Sequence, residues 1–239
     1  IAGLTAKARI YVVDNGDASS AAAGEDESIF HMKTEGNVGF GKAHNRLMAE
    51  AFSNNADIYI AANPDGSFHP DAIGALVQMM HAHNGRALIE AIQFPDEHPK
   101  TYDPFTFETP WASGACLAIP NQLYEAIGGF DDAFFMYCED VDLSWRARAS
   151  GFAVRICPRA LFLHAVTNRK PDPTRLKVIF NSGILLARKW NNPKFEKWLN
   201  LELKAIGFEP TDAQPTRVPD EWGHIPDFDH QLSFSETRW

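Results

Sequence analysis

The sequence predicts an α/β protein with a mostly parallel central sheet. Short apolar runs at residues 9–13, 57–62 and 87–93 alternate with stretches in which apolar residues recur every three or four positions. Two of these runs end directly in turn sequences, Asp14-Asn15-Gly16 and Asn63-Pro64-Asp65-Gly66. Strands that alternate with helices in this way favour a sheet that is covered by helices.

The bulk composition is that of a soluble globular protein. The 239 residues are 45% hydrophobic and 22% charged, and no apolar run approaches the roughly 18 residues that span a membrane. The formal net charge of −9 argues against a nucleic-acid groove as the main function. An acidic cleft would also repel a phosphate-bearing substrate, and a divalent cation held by the carboxylates would remove that repulsion.

The cysteines and the N-terminus bear on the compartment. Cys116, Cys138 and Cys157 are widely spaced and odd in number, which argues against a disulfide framework and against a cysteine-based zinc site. No charged-then-apolar leader is visible. We therefore expect a reducing, cytoplasmic setting.

The first predicted strand, residues 9–13, begins so close to the first residue that we expect an earlier strand and helix to be missing. Residues 17–28 are small and polar and predict a loop. The glycine-rich stretch 37–41 then leads into the helical pattern Ala43, Leu47, Ala51. A loop of this kind can present backbone N–H groups to a phosphate or a sugar, although a plain strand-to-helix turn fits the same residues.

The second predicted strand, residues 57–62, ends at Asn63-Pro64-Asp65-Gly66. Ligands of open α/β sheets bind at the carboxyl ends of strands, where this turn projects Asp65. Oxygen ligands from Asn and Asp suit Mg²⁺ or Mn²⁺. An ordinary turn fits the same four residues.

The middle of the chain predicts a helix at residues 70–82, a strand at 87–93 and a long irregular loop at 94–110. A strand at residues 115–119 follows. Pro120 then opens a short helix that Gly128-Gly129 stops.

An aromatic run, residues 134–137, leads into the carboxylates of Glu139, Asp140 and Asp142. Apolar residues four apart give the following helix an apolar side, and Glu139 and Asp140 lie in its first turn. Carboxyl groups beside a large apolar surface can have a raised pKa, which suits a general base. An ordinary helix start with acidic residues on a solvated face is the alternative.

The C-terminal part begins with two short extended segments, residues 153–157 and 160–163, and the second ends at His164. A histidine there is structural or a metal ligand. Residues 172–206 predict helices with a break near residue 192, and their Lys and Arg residues fit a solvated basic face. We expect residues 1–206 to form the domain, and residues 207–239 to form an extended tail packed on it or on a partner.

The order of these motifs resembles the family-2 glycosyltransferases, which are nucleotide-sugar-dependent inverting enzymes of GT-A fold, and most closely their rhamnosyltransferase-like branch. The resemblance covers residues 8–190. It rests on Val12-Val13-Asp14, the glycine-rich Asn37–Asn45 stretch, Asn63-Pro64-Asp65, Ser113-Gly114-Ala115, Gly128-Gly129-Phe130-Asp131, Glu139-Asp140-Val141-Asp142-Leu143 and His164. It implies a three-layer α/β/α sandwich, here without a counterpart of the family's first strand.

The resemblance also implies the roles of individual residues. Asp140 falls on the general base, with Glu139 beside it. Asp65 and His164 would hold Mg²⁺ or Mn²⁺, with Asn63 in place of the first Asp of the metal motif. Apart from the resemblance, we expect basic residues after His164, such as Arg169 or Lys170, to close over the donor phosphates. The residues matched to the donor site are Asp14, Asn15, Asn37, Gly39, Asn45, Asn63 and Gly114.

The implied reaction moves a hexosyl or rhamnosyl group from a nucleoside-diphosphate sugar to a hydroxyl of a glycan or lipid-linked acceptor in bacterial surface polysaccharide synthesis. The Gln-x-x-Arg-Trp motif of processive synthases is missing, which indicates a single addition. Such an enzyme would lie in the cytoplasm or at the inner face of the membrane. Two alternatives are a nucleotide-sugar-binding module without catalysis and a metal-dependent hydrolase or nucleotidyltransferase using Asp65, Asp140 and His164. No oligomeric state follows from the sequence.

Overall fold

The computed structural model describes residues 8–16, 29–98, 100–165 and 172–228. Strands and helices are interspersed along these ranges, and a short 3₁₀ turn lies at Asp220–Trp222. The strands are β1 (Ile10–Asp14), β2 (Ile29–Lys33), β3 (Ile58–Ala62), β4 (Ser67–Phe68), β5 (Ala87–Pro95), β6 (Cys116–Pro120) and β7 (Ala153–His164). The helices are α1 (Phe40–Ser53), α2 (Ala72–Ala82), α3 (Asn121–Ile127), α4 (Glu139–Ala149), α5 (Pro173–Lys189) and α6 (Pro193–Ala205).

The described strands form two sheets. β1 and β2 pair in parallel, and the other five strands form a sheet of order β3-β6-β5-β7-β4. In the larger sheet only the β5–β7 pairing is parallel, whereas β6 runs antiparallel to both of its neighbours and β4 runs antiparallel to β7. The α/β class is therefore confirmed, but the sheet is mixed rather than mostly parallel. The described residues between β5 and β6 form no crossover helix, and an antiparallel return needs none.

β7 joins the two extended segments expected at residues 153–157 and 160–163. Its pairing with β5 shifts register between Ala91↔Cys157 and Ile92↔Leu161, so residues 158–160 are extra on the β7 side. Pro158 has no backbone N–H to give to a ladder, which is why the sequence there is typical of a strand break. The structure accommodates it as an irregularity within one strand.

Apolar residues on alternate positions of the same strands enter two different clusters. Leu88 and Leu117 pack in a cluster with α1, α3 and α4, whereas Ile89 and Ala118 pack in a cluster with α2. Because successive strand residues point to opposite faces, these clusters lie on the two sides of the sheet. The expected three-layer arrangement is confirmed.

A third apolar cluster lies on the far side of α4. Trp145 of α4 and Trp190, which follows α5, are buried there with aromatic and aliphatic neighbours. Val218, Trp222, Ile225 and Phe228 of the C-terminal segment pack against this cluster. Residues 207–228 thus contact the helices, and the division of the chain at residue 206 stays a prediction.

Helix α4 is buried nearly all round. Leu143 and Ala147 contact the cluster shared with α1, while Val141 and Trp145 contact the third cluster. The expected amphipathic helix is therefore a helix between two cores. Strands β2 and β4 were not predicted. None of the described helices combines the length and apolar character that crossing a lipid bilayer requires.

Candidate active site

The start of α4 places two carboxyl groups at the edge of the sheet. Tyr137 and Cys138 have φ values of 70° and 66°, a left-handed conformation that is costly for residues other than glycine. This turn directs the chain into α4, so that Glu139 and Asp140 occupy its first turn, as the sequence predicts. The strained backbone of Tyr137 and Cys138 therefore lies directly before the two candidate carboxyl groups, Glu139 and Asp140.

The Asp140 carboxylate is held by backbone N–H groups on both of its oxygens. Oδ2 accepts from Gly114 N at 2.9 Å and Oδ1 accepts from Val141 N at 2.9 Å. Burial raises the pKa of Asp140, and these two hydrogen bonds oppose the rise. The group is thus oriented and partly desolvated, as a general base requires.

Glu139 has different surroundings. Its residue is 5% exposed, and its Oε2 atom has no hydrogen-bond partner among the described residues. Burial, and secondly the charge of Asp140, raise the pKa of Glu139 well above its ordinary value. Burial thus raises the pKa of both carboxyl groups, and backbone hydrogen bonds from other residues oppose the rise only at Asp140.

Asn15 ties the end of β1 to the glycine-rich loop. Its Oδ1 accepts from Val38 N at 2.9 Å, and its Nδ2 donates to Gly39 O at 3.1 Å and to Asn37 Oδ1 at 3.2 Å. The Asp14 carboxylate accepts from Gly16 N at 3.2 Å. The predicted donor residues Asp14, Asn15, Asn37 and Gly39 are thus brought together at one end of β1.

Gly39 brings this loop against the segment that precedes α4. Its φ is +91°, and a Cβ atom there would lie 2.2 Å from the carbonyl oxygen of Phe135. The next residue, Phe40, donates its N–H to the same oxygen at 2.9 Å. Only glycine fits this approach, which sets the loop beside the start of α4.

Asn45 has its amide occupied within the chain. Oδ1 accepts from Phe130 N at 2.8 Å, and Nδ2 donates to Phe130 O at 2.8 Å and to Asp132 Oδ1 at 2.9 Å. A Cβ atom on Gly129 would lie 2.1 Å from Asn45 Oδ1. Among the predicted donor residues, Asn45 is thus the one whose side chain holds the loop at residues 128–132 against α1.

Asn63, Asp65 and His164 meet at the ends of β3 and β7. His164 Nε2 lies 3.3 Å from Asp65 Oδ1 and 3.2 Å from Asn63 Nδ2. The histidine ring is 7% exposed, whereas the Asp65 side chain is 54% exposed. No group of three His, Cys, Asp or Glu residues suited to a metal is found in the described ranges, so the protein ligands offered here are Asp65, His164 and the Asn63 amide.

Backbone contacts connect this group to the Asp140 carboxylate. Asn63 N donates to Ala115 O at 2.9 Å, and the preceding residue, Gly114, binds Asp140. The carboxyl ends of β3, β5 and β7 and the start of β6 lie at one edge of the sheet, since β6 runs opposite to the other three. Asp65, Asp140 and His164 therefore converge at the same edge, as the sequence predicts.

Sequence reasoning missed a group of buried polar residues under this edge. The residues are Glu90 and Gln93 of β5, Lys100 of the irregular segment and Ser144 of α4. The Ser144 hydroxyl accepts from Ala112 N at 2.9 Å and donates to Asp140 O at 2.7 Å. The available signal was a glutamate and a glutamine within the apolar run 87–93, because buried polar side chains require partners.

The third carboxylate of the motif, Asp142, joins helices. It is fully buried and accepts from Arg146 Nε at 2.7 Å, Lys189 Nζ at 2.9 Å and Trp190 Nε1 at 3.1 Å. Lys189 also contacts Asp131 at 2.5 Å. Arg169 and Lys170, expected to close over the donor phosphates, lie outside the described residues.

The similarity of this chain to a known protein agrees with the family that its motifs indicate. No family model matches the chain. An N-acetylglucosaminyl-diphospho-decaprenol L-rhamnosyltransferase of Mycobacterium tuberculosis is 27% identical, in a match that covers 65% of this chain and 66% of the relative. The chain thus spans slightly less than two thirds of that relative's length.

Two solved structures share the fold. GalNAc-T7, solved with UDP, GalNAc and Mn²⁺, superposes with a TM-score of 0.59 at 11% identity, covering 91% of this chain and 47% of that one. The mannosyltransferase PcManGT of Pyrobaculum calidifontis, solved with GDP-Man and Mn²⁺, gives a TM-score of 0.57 at 16% identity over 82% of this chain and 59% of that one. The chain has the GT-A fold, and the resemblance to rhamnosyltransferase-like glycosyltransferases that its motifs indicate is confirmed.

Proposed function

We propose that the chain is the catalytic part of a divalent-cation-dependent, inverting glycosyltransferase. It transfers a rhamnosyl or hexosyl group from a nucleoside-diphosphate sugar to a hydroxyl of a glycan or lipid-linked acceptor. One observation carries the proposal. The half-buried carboxylate of Asp140, which accepts backbone hydrogen bonds, lies at the same sheet edge as the group formed by Asn63, Asp65 and His164.

Asp140 acts as the general base. Its carboxylate takes the proton from the acceptor hydroxyl, and that oxygen attacks the anomeric carbon on the face opposite the leaving nucleoside diphosphate, so the configuration inverts. The N–H groups of Gly114 and Val141 hold the carboxylate in one orientation throughout. Burial raises the pKa of the neighbouring Glu139, which disfavours a second negative charge beside the proton-transfer site.

The residues at the ends of β3 and β7 fit a hard divalent cation. Two donor atoms bound at about 2.1 Å and at a right angle lie about 3 Å apart, close to the 3.3 Å between Asp65 Oδ1 and His164 Nε2. When bound, Mg²⁺ or Mn²⁺ offsets the charge that develops on the leaving diphosphate. Mg²⁺ is commonly held by one or two protein groups together with substrate phosphates, so the short ligand set is sufficient.

The donor is assigned to the side of the site formed by β1 and the glycine-rich loop. Asp14, Asn15, Asn37 and Gly39 lie together there, next to Phe135 and the start of α4. The structural neighbour PcManGT was solved with a nucleotide sugar and Mn²⁺, and the Mycobacterium relative is named for a lipid-linked acceptor. Both names support this choice of donor and acceptor class.

The Asp140→Asn variant tests the proposal. An amide cannot accept the acceptor proton, so transfer should fall by roughly 10²–10⁴, while the affinity for the nucleotide sugar stays within a few-fold of wild type. Asp212→Asn, in the exposed C-terminal segment, is the control and should keep full activity. Near-normal turnover in Asp140→Asn would refute the assignment of the base.

The same assay separates the two alternatives. A binding module would bind the nucleotide sugar and transfer nothing to any acceptor, in wild type and variant alike. A hydrolase or nucleotidyltransferase would release product from its nucleotide substrate when no acceptor is added. Acceptor-dependent loss of the donor sugar, abolished by Asp140→Asn, is expected only for the transferase.

A further inference from the structure

A buried ion pair lies under the candidate site and takes no part in the proposed chemistry. Glu90 of β5 and Lys100 are each 2% exposed, and Lys100 Nζ donates to Glu90 Oε2. Lys100 also donates to Trp111 O at 2.8 Å and lies 4.0 Å from the centre of the Trp111 ring. Replacing a buried pair of this kind by apolar residues often costs no stability, so stability alone is a weak explanation for it.

One chain of hydrogen bonds leads from Glu90 through Gln93 to His164. Gln93 Nε2 donates to Glu90 Oε1 at 3.0 Å. The Glu90 carboxylate faces three donors, from Lys100, Gln93 and Ser113, and can only accept. The Gln93 amide is therefore oriented with its oxygen away from Glu90, and this oxygen lies 3.3 Å from His164 Nδ1.

The orientation of Gln93 decides which nitrogen of His164 carries the proton. An amide oxygen can only accept, so Nδ1 donates, and in the neutral ring Nε2 then keeps its lone pair. The Asn63 amide nitrogen, 3.2 Å from Nε2, is a donor that matches this tautomer. The lone pair then faces the Asp65 oxygen at 3.3 Å, an arrangement of two electron-rich atoms that a cation relieves.

A second chain of contacts leads from Glu90 through residues 113 and 114 to Asp140. Glu90 Oε2 accepts from Ser113 N at 2.9 Å, and the next residue, Gly114, donates to Asp140 Oδ2. Together with the bond from Lys100 to Trp111 O, this holds both ends of the stretch 111–114. The buried Glu90 carboxylate thus contacts Gln93, which lies next to His164, and Ser113, which precedes the residue that binds Asp140.

We propose that Glu90, with Lys100 as its counter-ion, is a positioning residue for both halves of the site. Through Gln93 it keeps the Nε2 lone pair of His164 available to a metal, and through Ser113 it fixes the loop that orients Asp140. The metal and base roles rest on the proposed function, whereas the tautomer is a property of the protein without ligands. Neither Glu90 nor Lys100 touches a substrate.

The tautomer is measured in the metal-free wild type by two-bond ¹H–¹⁵N correlation spectra of the histidine rings. The signals of His164 are identified as those that disappear in the His164→Ala variant. We expect His164 to carry its proton on Nδ1. In Gln93→Met the acceptor is gone, so the two tautomers should mix, and Mn²⁺ affinity should fall by about 10- to 100-fold. Gln122→Leu, an exposed glutamine on α3, should change neither quantity.

The double variant Glu90→Gln/Lys100→Met removes both charges together and so avoids leaving one of them buried alone. It should weaken Mn²⁺ binding by a similar factor and also move the acid limb of the pH–rate profile that Asp140 sets. An unchanged Mn²⁺ affinity and acid limb in this variant, when it is folded, would overturn the proposal.

Two outcomes separate this inference from the proposed function. A wild-type His164 protonated on Nε2 would overturn the positioning role, whatever the activity and whether or not the variants fold. A wild type with the proton on Nδ1, lost in Gln93→Met, that binds no Mn²⁺ would support the network and count against the proposed metal role.

Discussion

Glu139 and Asp140 are adjacent in one helical turn, yet their side chains meet different surroundings. Asp140 receives two backbone N–H groups, whereas Glu139 Oε2 has no partner among the described residues. Burial raises the pKa of both groups, and only Asp140 has hydrogen bonds to other residues that counter the rise. The surroundings of the two carboxyl groups therefore differ in a way that the motif by itself does not show.

The raised pKa of Glu139 makes stability depend on pH. The pKa of Glu139 is raised in the folded protein, so its contribution is complete below the ordinary glutamate pKa of about 4.3 and is lost as pH rises through the raised pKa. Glu139→Gln should match the wild-type Tm near pH 4 and exceed it at pH 8, by roughly 2–4 °C for each kcal/mol. Glu209→Gln, at an exposed glutamate, is the control. A difference in Tm that does not grow with pH would contradict the assignment.

Gly39 allows a second test at the level of one residue. Gly39→Ala places a methyl group against the Phe135 carbonyl and strains a positive φ, so it should cost about 1–3 kcal/mol and weaken donor binding. Gly74→Ala is the matched control, because no atom lies within 4 Å of its added Cβ and it lies inside α2. That variant should be neutral or stabilising by up to about 1 kcal/mol in urea unfolding.

At the scale of elements, Asp142 couples α4 to α5. Its carboxylate lies two residues beyond the base and binds Lys189 at the end of α5 and Arg146 one turn along α4. Arg146 also donates to Gly129 O at 2.8 Å and to Ile127 O at 3.1 Å. The helix that carries the base is thus fixed by α5 and by the loop after α3.

Removing this carboxylate should be costly. Asp142→Ala leaves Lys189 and Arg146 buried with fewer negative partners, and we expect a loss of about 3–5 kcal/mol in the free energy of unfolding. Glu196→Gln breaks the more exposed Arg188–Glu196 pair and should cost less than about 1 kcal/mol. Urea unfolding of the two variants measures both quantities, and equal losses would argue against a structural role for Asp142.

The helices were predicted closely, because their caps and apolar repeats are local. Pro193 opens α6 where the sequence predicts the break, and Gly128 and Gly151 follow the ends of α3 and α4. Strand direction was predicted less well, since it depends on how the chain returns between strands. The segment 96–115 brings β6 back antiparallel, and no local pattern in that segment encodes the return.

The candidate site shows the same division. Asp65, Asp140 and His164 follow from positions at strand ends and at a helix start, which a sequence reveals. Glu90, Gln93 and Lys100 act through contacts between segments, and those contacts depend on sheet register and on the path of the loop. The burial of Asp142 was not predicted for a similar reason, because two of its partners, Lys189 and Trp190, lie 47 and 48 residues away.

At the scale of the whole molecule, the proposed active site uses residues from two different sheets, one of five strands and one of two strands. The base and the candidate metal ligands are anchored in the five-stranded sheet, with apolar clusters on both faces. The donor residues lie on β1 and the glycine-rich loop. In the described residues β1 pairs only with β2, and both pack through their side chains on the cluster next to α1.

Ligand binding should be visible as a change in global stability. A nucleotide sugar present at about 100 times its Kd adds about 2.7 kcal/mol, a Tm increase of roughly 5–10 °C for a chain of this size. We expect this shift with Mn²⁺ present and its loss with EDTA. His164→Ala should bind the donor without the Mn²⁺ dependence, and a shift unaffected by EDTA in wild type would count against the metal.

The two-stranded sheet of β1 and β2 has a further consequence. Segments joined to a core by few backbone hydrogen bonds open locally at a lower free energy than the sheet to which they are attached. We therefore expect the described pair β1–β2, which we propose binds the nucleotide, to open locally at a lower free energy than the five-stranded sheet. Binding of the donor and ordering of this small sheet would then be linked. The nucleotide part of the donor would favour the ordered form of the strands that bind it.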